Sequence, residues 1–281
     1  MGPVESTEPK GGARDTQAHP VSAFRGLRPS GFARLRLTRG TAVDLIGLPP
    51  ARVAQQLAAG LRLPSSPHGP TTVAFMNMRN YVASRRSPDA ESAFASMDQV
   101  YPDGVGLQVA RRLLGLRPYP RVSGTDTIPL LMQRLPPGTR VFLLGGTPAL
   151  SAAAGAGFSR SFPSLVLAGT HHGYFRPPQD RSVLTAITAA RPDILLIGMG
   201  SPVQECWLQQ HRARLPGRLA ICVGGLFHYW AEDLRRAPRI LQAVGLEWLW
   251  ILAQQPHKWR VYSIDAAHFA AALLRLRRST A

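Results

Sequence analysis

Val141-Phe142-Leu143-Leu144-Gly145-Gly146-Thr147-Pro148 is the stretch whose reading decides the fold. Four consecutive bulky apolar residues suit a strand buried on both faces, as in the interior of a parallel sheet. Two glycines stop the run. Pro148 then fits the first turn of a helix, where its missing N–H costs nothing. Strand, tight turn and helix follow one another within a few residues. The same alternation extends outward in both directions. Strands are expected at 43–48, 72–77, 140–144, 165–168, 193–197 and 219–223, and helices at 51–61, 81–97, 106–114, 126–135, 148–158, 181–190 and 204–212. Strands separated by helices predict an α/β fold with a Rossmann-like, mostly parallel sheet and helices on both faces.

The flanks have a different texture. Residues 1–39 carry Pro3, Pro9, Gly11, Gly12, Pro20, Pro29 and Gly31 with no apolar period, and are expected to be a disordered basic tail. The sheet domain is expected over 40–234. From 235 to 281 the strand pattern stops, and arginines alternate with Leu241, Leu246, Trp248, Leu249, Trp250, Trp259 and Phe269. This segment reads as a helical appendage, either a cap on the sheet domain or a contact for substrate and membrane.

Apolar residues make up 45% of the 281, enough for a sizeable core, and the formal net charge is +17, supplied almost entirely by arginine. Such a balance favours phosphate-bearing partners: nucleic acid, an anionic membrane surface or a nucleotide diphosphate. No nucleic-acid module pattern accompanies it, so nucleic acid is not expected as a partner. Cys206 and Cys222 lie in apolar surroundings outside any Cys/His cluster, which argues against a zinc site. No signal peptide or membrane-spanning run is read, so a cytoplasmic protein resting on the membrane's inner face is expected.

Several polar groups sit beside glycine or proline at the ends of apolar runs. Asn77 ends one strand. Pro102-Asp103-Gly104-Val105-Gly106 follows an apolar run, and a carboxylate at Asp103 can accept a hydroxyl proton if an acceptor comes within hydrogen-bond reach. Thr125 or Asp126 can cap the helix that opens after Gly124. Gly145-Gly146 lets a phosphate or ribose approach the backbone at a helix N-terminus. It is not GxGxxG and lacks the downstream acid of a dinucleotide site, which disfavours an oxidoreductase. Gly198-Met199-Gly200-Ser201-Pro202-Val203-Gln204-Glu205 repeats this logic with side chains able to bind a base, ribose or sugar hydroxyl. Gly224 ends the last strand, and Arg236, in Arg235-Arg236-Ala237-Pro238, offers a bidentate guanidinium to phosphate.

The order and spacing of these motifs, with Gly245-Leu246-Glu247-Trp248 and Gln255-Pro256-His257-Lys258-Trp259-Arg260, resemble the WecG/TagA/CpsF glycosyltransferases over residues 43–262. That family moves a sugar from a UDP-sugar onto a sugar carried by a polyprenyl diphosphate. The resemblance implies an inverting hexosyltransferase, N-acetylmannosaminyl or related, of surface-polysaccharide or wall-polymer synthesis. It implies Asp103 as general base, and Asn77, Gly104, Gly106, Thr125, Asp126, Gly145, Gly146, Gly200, Pro202, Gln204, Glu205, Gly224, Arg236, Lys258 and Arg260 at the substrates. No cofactor is implied beyond the donor. No Asp-x-Asp occurs, so arginine, lysine and backbone amides are expected to hold the diphosphate without a metal. Four positions depart from the family pattern. Phe75 replaces a threonine, His228 an aspartate, Glu232 a glycine and Ile251 an arginine. The intact surroundings favour altered donor specificity; the alternative is a catalytically inactive member.

Overall fold

A computed structural model describes residues 32–37, 41–62, 66–120, 122–176, 179–243, 245–256 and 259–280. Its elements in chain order are β1 (Phe32–Arg36), β2 (Ala42–Ile46), α1 (Pro50–Gly60), β3 (Thr71–Met76), α2 (Met78–Arg86), α3 (Pro88–Ala95), β4 (Gln99–Pro102), α4 (Val105–Leu113), α5 (Gly124–Met132), β5 (Arg140–Gly145), α6 (Pro148–Ser161), β6 (Val166–His171), α7 (Asp180–Ala190), β7 (Ile194–Gly198), α8 (Val203–His211), β8 (Leu219–Cys222), α9 (Leu226–Trp230), α10 (Arg239–Ala243), α11 (Glu247–Gln254) and α12 (Trp259–Thr280).

The strands form one sheet in the order β1-β2-β4-β3-β8-β7-β5-β6. β2 to β8 run parallel, and β1 pairs antiparallel with β2 at the edge. Successive residues of a strand point to opposite faces, and each face carries its own packed layer. Val73, Leu143, Leu196 and Ile221 join one layer with Val53, Ile128 and Phe158. Their neighbours Ala74, Leu144, Ile197 and Cys222 join the other with Tyr81, Phe94, Ile187 and Leu208. Both faces are thus covered, as the unbroken apolar runs predict.

Three local departures from expectation have physical reasons. Residues 32–36 form β1 rather than disordered chain, and Leu37 just beyond is buried. The alternation of Arg34, Leu35, Arg36 and Leu37 has a strand's period, but the glycines and prolines before it dominate the composition. The rest of the expected tail, 1–31 and 38–39, lies outside the described residues. The helix expected over 81–97 is two helices. Pro88 keeps Ser87 out of the α region, and the Ser87 hydroxyl accepts from Ala90 N at 3.3 Å to cap α3. β4 was not expected as a strand: four residues, fully buried, ending in proline, carry too short a signal. Of the two expected readings of the appendage, the packed cap holds in part. In α12, Phe269 meets Tyr81 edge-on with centroids 5.7 Å apart, and Asp265 pairs with Arg79 at 3.1 Å. No described helix is long and apolar enough to cross a membrane.

Candidate active site

Because β2 to β8 are parallel, the loops after their C-terminal ends share one edge of the sheet. That is where open α/β sheets bind ligands. Two groups of residues assemble there, on either side of β8.

The first group lies beyond β3 and β4. Met76 pairs with Pro102, and the next residue, Asp103, donates its backbone N–H to Met76 O at 2.8 Å. This places Asp103 beside Asn77. The chain then turns at Gly104, whose φ of +74° favours glycine, and whose α-carbon faces Asn77. Gly106, in the first turn of α4, faces Met78, and a side chain there would come within 2.9 Å of Met78 Cβ. The Asn77 side chain accepts from Asn80 N at 2.9 Å and so caps α2. The segment leading into α5 joins this group, with Val122 N donating to Pro102 O at 3.3 Å. Phe75 fills the space beneath it, and a Cβ on Gly124 would meet the Phe75 ring at 3.3 Å. Ser123 and Thr125 share a hydroxyl contact of 2.7 Å.

Arg236 ties this group to the appendage. Its Nη2 lies 2.6 Å from Asp126 Oδ1, Nη1 donates to Thr125 O at 3.0 Å, and Nε is 3.3 Å from Glu247 Oε1. The guanidinium also stands 5.5 Å from the Tyr229 ring centroid. One cation between two carboxylates is more than balanced in charge. In this arrangement Arg236 braces α10 and α11 against α5. Glu247 was not among the expected site residues, although Gly245-Leu246-Glu247-Trp248 marked its neighbourhood; only the folded chain brings it to Arg236.

The second group lies beyond β5, β7 and β8. Gly145 has φ +149° and abuts the backbone of Gly198, leaving no room for a side chain. Gly173, after β6, donates to Gly146 O at 2.8 Å and folds the 171–175 loop over this turn. The Thr147 side chain accepts from Leu150 N at 3.2 Å and caps α6. Gly200 and Gly224 face open space. Pro202 follows a cis peptide and precedes α8. Gln204 and Glu205 are buried. Gln204 donates from Nε2 to Glu205 Oε1 at 2.8 Å and accepts from Gly224 N at 3.1 Å, which joins the β7 loop to the β8 loop. Burial pushes the Glu205 carboxyl up; the hydrogen bond from Gln204 only partly opposes this.

Two expected residues remain. Arg260 is exposed on the first turn of α12, 5.6 Å from the Trp259 ring centroid. Lys258 lies outside the described residues. His228, at a departure from the family pattern, contacts Asp233 Oδ2 through Nδ1 at 2.5 Å. Among the described residues no three His, Cys, Asp or Glu side chains gather closely enough to hold a metal ion.

The sequence is similar to known proteins over most of its length. The sequence model of the "Glycosyl transferase WecG/TagA/CpsF family" matches residues 43–281. A curated relative from Bacillus spizizenii, N-acetylglucosaminyldiphosphoundecaprenol N-acetyl-beta-D-mannosaminyltransferase, is 28% identical over 197 residues, covering 70% of this chain and 76% of its own length.

Proposed function

The chain belongs to the WecG/TagA/CpsF glycosyltransferase family, and from that premise we propose that it transfers a sugar from a UDP-sugar to a sugar carried on a polyprenyl diphosphate, with inversion and without a metal. The observation that carries this reading is the placement of Asp103 beside Asn77 at the ends of two adjacent strands, on the same edge as the open Gly200 and Gly224 turns. β3 and β7 are two strand spacings apart, about 10 Å. One sheet edge therefore has room for an acceptor hydroxyl at Asp103 and a donor diphosphate near the glycine turns.

In this mechanism the Asp103 carboxylate takes the proton of the acceptor hydroxyl as its oxygen attacks the anomeric carbon. The bond from that carbon to the UDP oxygen breaks, and UDP leaves with the bonding electron pair. Backbone N–H groups and arginine side chains offset the charge that develops there. The missing Asp-x-Asp motif supports this metal-free reading. Arg236, Arg260 and Lys258 remain the candidate phosphate partners, with Arg236 held at the seam by its carboxylates. The acceptor is a membrane lipid, so the enzyme works at the inner face of the cell membrane, on an anionic surface.

A second proposal concerns specificity. Phe75 occupies the space beneath Gly124, where the family pattern has a smaller threonine. Such a change beside Asn77 favours a different sugar rather than loss of catalysis. The test is a panel of UDP-sugars, UDP-N-acetylmannosamine among them, incubated with a lipid-diphosphate-linked N-acetylglucosamine acceptor. Formation of a disaccharide lipid, and its dependence on Asp103, supports the reading. Failure of every donor overturns it in favour of an inactive member.

A further inference from the structure

The most amphipathic helix of the chain begins at the proposed catalytic loop. α4 starts directly after Gly104 and buries Leu107 and Ala110. Its opposite side exposes Val109 and Leu113, 43% and 62% accessible, one helical turn apart. Leu116, 48% accessible, continues the ridge. Its position is fixed by the helix cap. Gly115, at φ +70°, donates to Arg112 O at 3.0 Å, and Leu116 N donates to Arg111 O at 2.8 Å. These two bonds make a Schellman cap, which usually tucks its last apolar side chain against the helix; here that side chain faces solvent instead.

The loop beyond the cap is also held. Arg111 Nε donates to Arg117 O at 2.7 Å, Nη1 to Tyr119 Oη at 3.1 Å, and the guanidinium lies 4.1 Å from the Tyr119 ring centroid. Arg112 and Arg117 flank the leucines and are exposed. From Gly104 to Thr125 the sequence has four arginines, Arg111, Arg112, Arg117 and Arg121, and no acidic residue. An apolar ridge between cations has the complement of an anionic lipid surface: headgroups for the arginines and acyl chains for the leucines.

The ridge continues into the appendage. Gly245, in the turn before α11, packs against Val105, with an added Cβ 3.0 Å from Val105 Cγ2. Close by, α11 and its leading turn expose Leu246, Trp248 and Leu249. We propose that the outer side of α4, from Val109 to Arg117, is a membrane-docking surface that inserts Leu113 and Leu116 among the acyl chains of an anionic bilayer. Docking there brings the lipid surface to the helix whose other end carries Asp103. This inference rests on the proposed lipid-linked acceptor and names the element that meets the lipid.

The experiment uses the full chain and its Leu113→Glu, Leu116→Glu double variant, with secondary structure and melting checked for both. Co-sedimentation with phosphatidylglycerol vesicles and with phosphatidylcholine vesicles reads the surface. Turnover of a short-chain, water-soluble acceptor analogue reads the site. The expected result is binding of the parent protein to the anionic vesicles, a loss of about tenfold or more in the variant, and turnover of the soluble analogue unchanged. Equal vesicle binding by both proteins overturns the role of α4 while leaving a membrane enzyme intact. If the parent ignores both vesicles, the membrane reading and this inference fall together. Light scattering adds a further outcome: a parent dimer that becomes monomeric in the variant assigns the ridge to contact between copies and overturns the proposal. A variant that melts early is replaced by Leu113→Ser, Leu116→Ser, read by the same criteria.

Discussion

At the scale of single residues, Asp103 and Glu205 show how position gives two carboxyl groups different duties. Asp103 stands at the accessible edge, half-buried. Replacing it with asparagine is expected to lower turnover by roughly 100-fold or more, the usual scale for a lost general base. UDP affinity, measured by calorimetry, should stay close to that of the parent. Near-normal turnover removes Asp103 from the mechanism. Glu205 lies wholly inside, and burial raises its pKa above the ordinary 4.5. The folded state therefore holds this proton after the unfolded chain has released it. By linkage, stability is highest below the unfolded pKa and falls as pH rises toward the folded one. Glu205→Gln keeps the neutral shape and removes this fall. Its urea midpoint is expected to decline less than the parent's from pH 4 upward. Parallel declines show that Glu205 does not stay protonated.

At the scale of elements, the site depends on contacts between distant segments. Arg236 holds the appendage to α5 through Asp126 and Glu247. Arg236→Ala is expected to cost about 1–2 kcal/mol, since a charged hydrogen-bond network is lost at a partly exposed place. Amide exchange in α10 and α11 should accelerate, and unchanged protection there counts against a brace. Gly157 in α6 packs directly on the carbonyl of Trp230 in α9. Gly157→Ala should therefore destabilise the protein by about 1–3 kcal/mol in chemical denaturation, because the helices must part. Most elements were legible in the sequence, since the strands at 141–144 and 194–197 are unbroken apolar runs between glycine and helix signals. β4 was not, because a four-residue strand has no period to count. β1 was hidden by the composition before it. The glycine turns and Asp103 were legible as the ends of apolar runs, and the sheet's parallel order puts them on one edge. The inward orientation of Gln204 and Glu205 was not legible: motif letters carry no burial, and only the sheet shows which side of α8 faces in.

At the scale of the whole molecule, the proposed metal-free chemistry predicts that EDTA leaves sugar transfer unchanged. Loss on chelation, restored by magnesium or manganese, shows that the leaving group is stabilised by a cation instead. The sheet's order has a further consequence, in time rather than in space. β3 is flanked by β4, whose Gln99 pairs with Val73 from 26 residues earlier (99 − 73), and by β8, whose Leu219 pairs with Thr71. During synthesis one flank of β3 waits for its neighbour while 148 residues (219 − 71) are added, an interval of about 7–30 s at ordinary ribosomal speed. An unpaired strand edge is a template for wrong partners throughout that time. The sheet edge between Asn77 and Gly224 straddles this last-made seam, so nascent chains arrested before residue 219 should be sensitive to protease and unable to hold UDP. The enzyme's birth thus passes through a vulnerable stage that chaperones or neighbouring ribosomes must leave undisturbed.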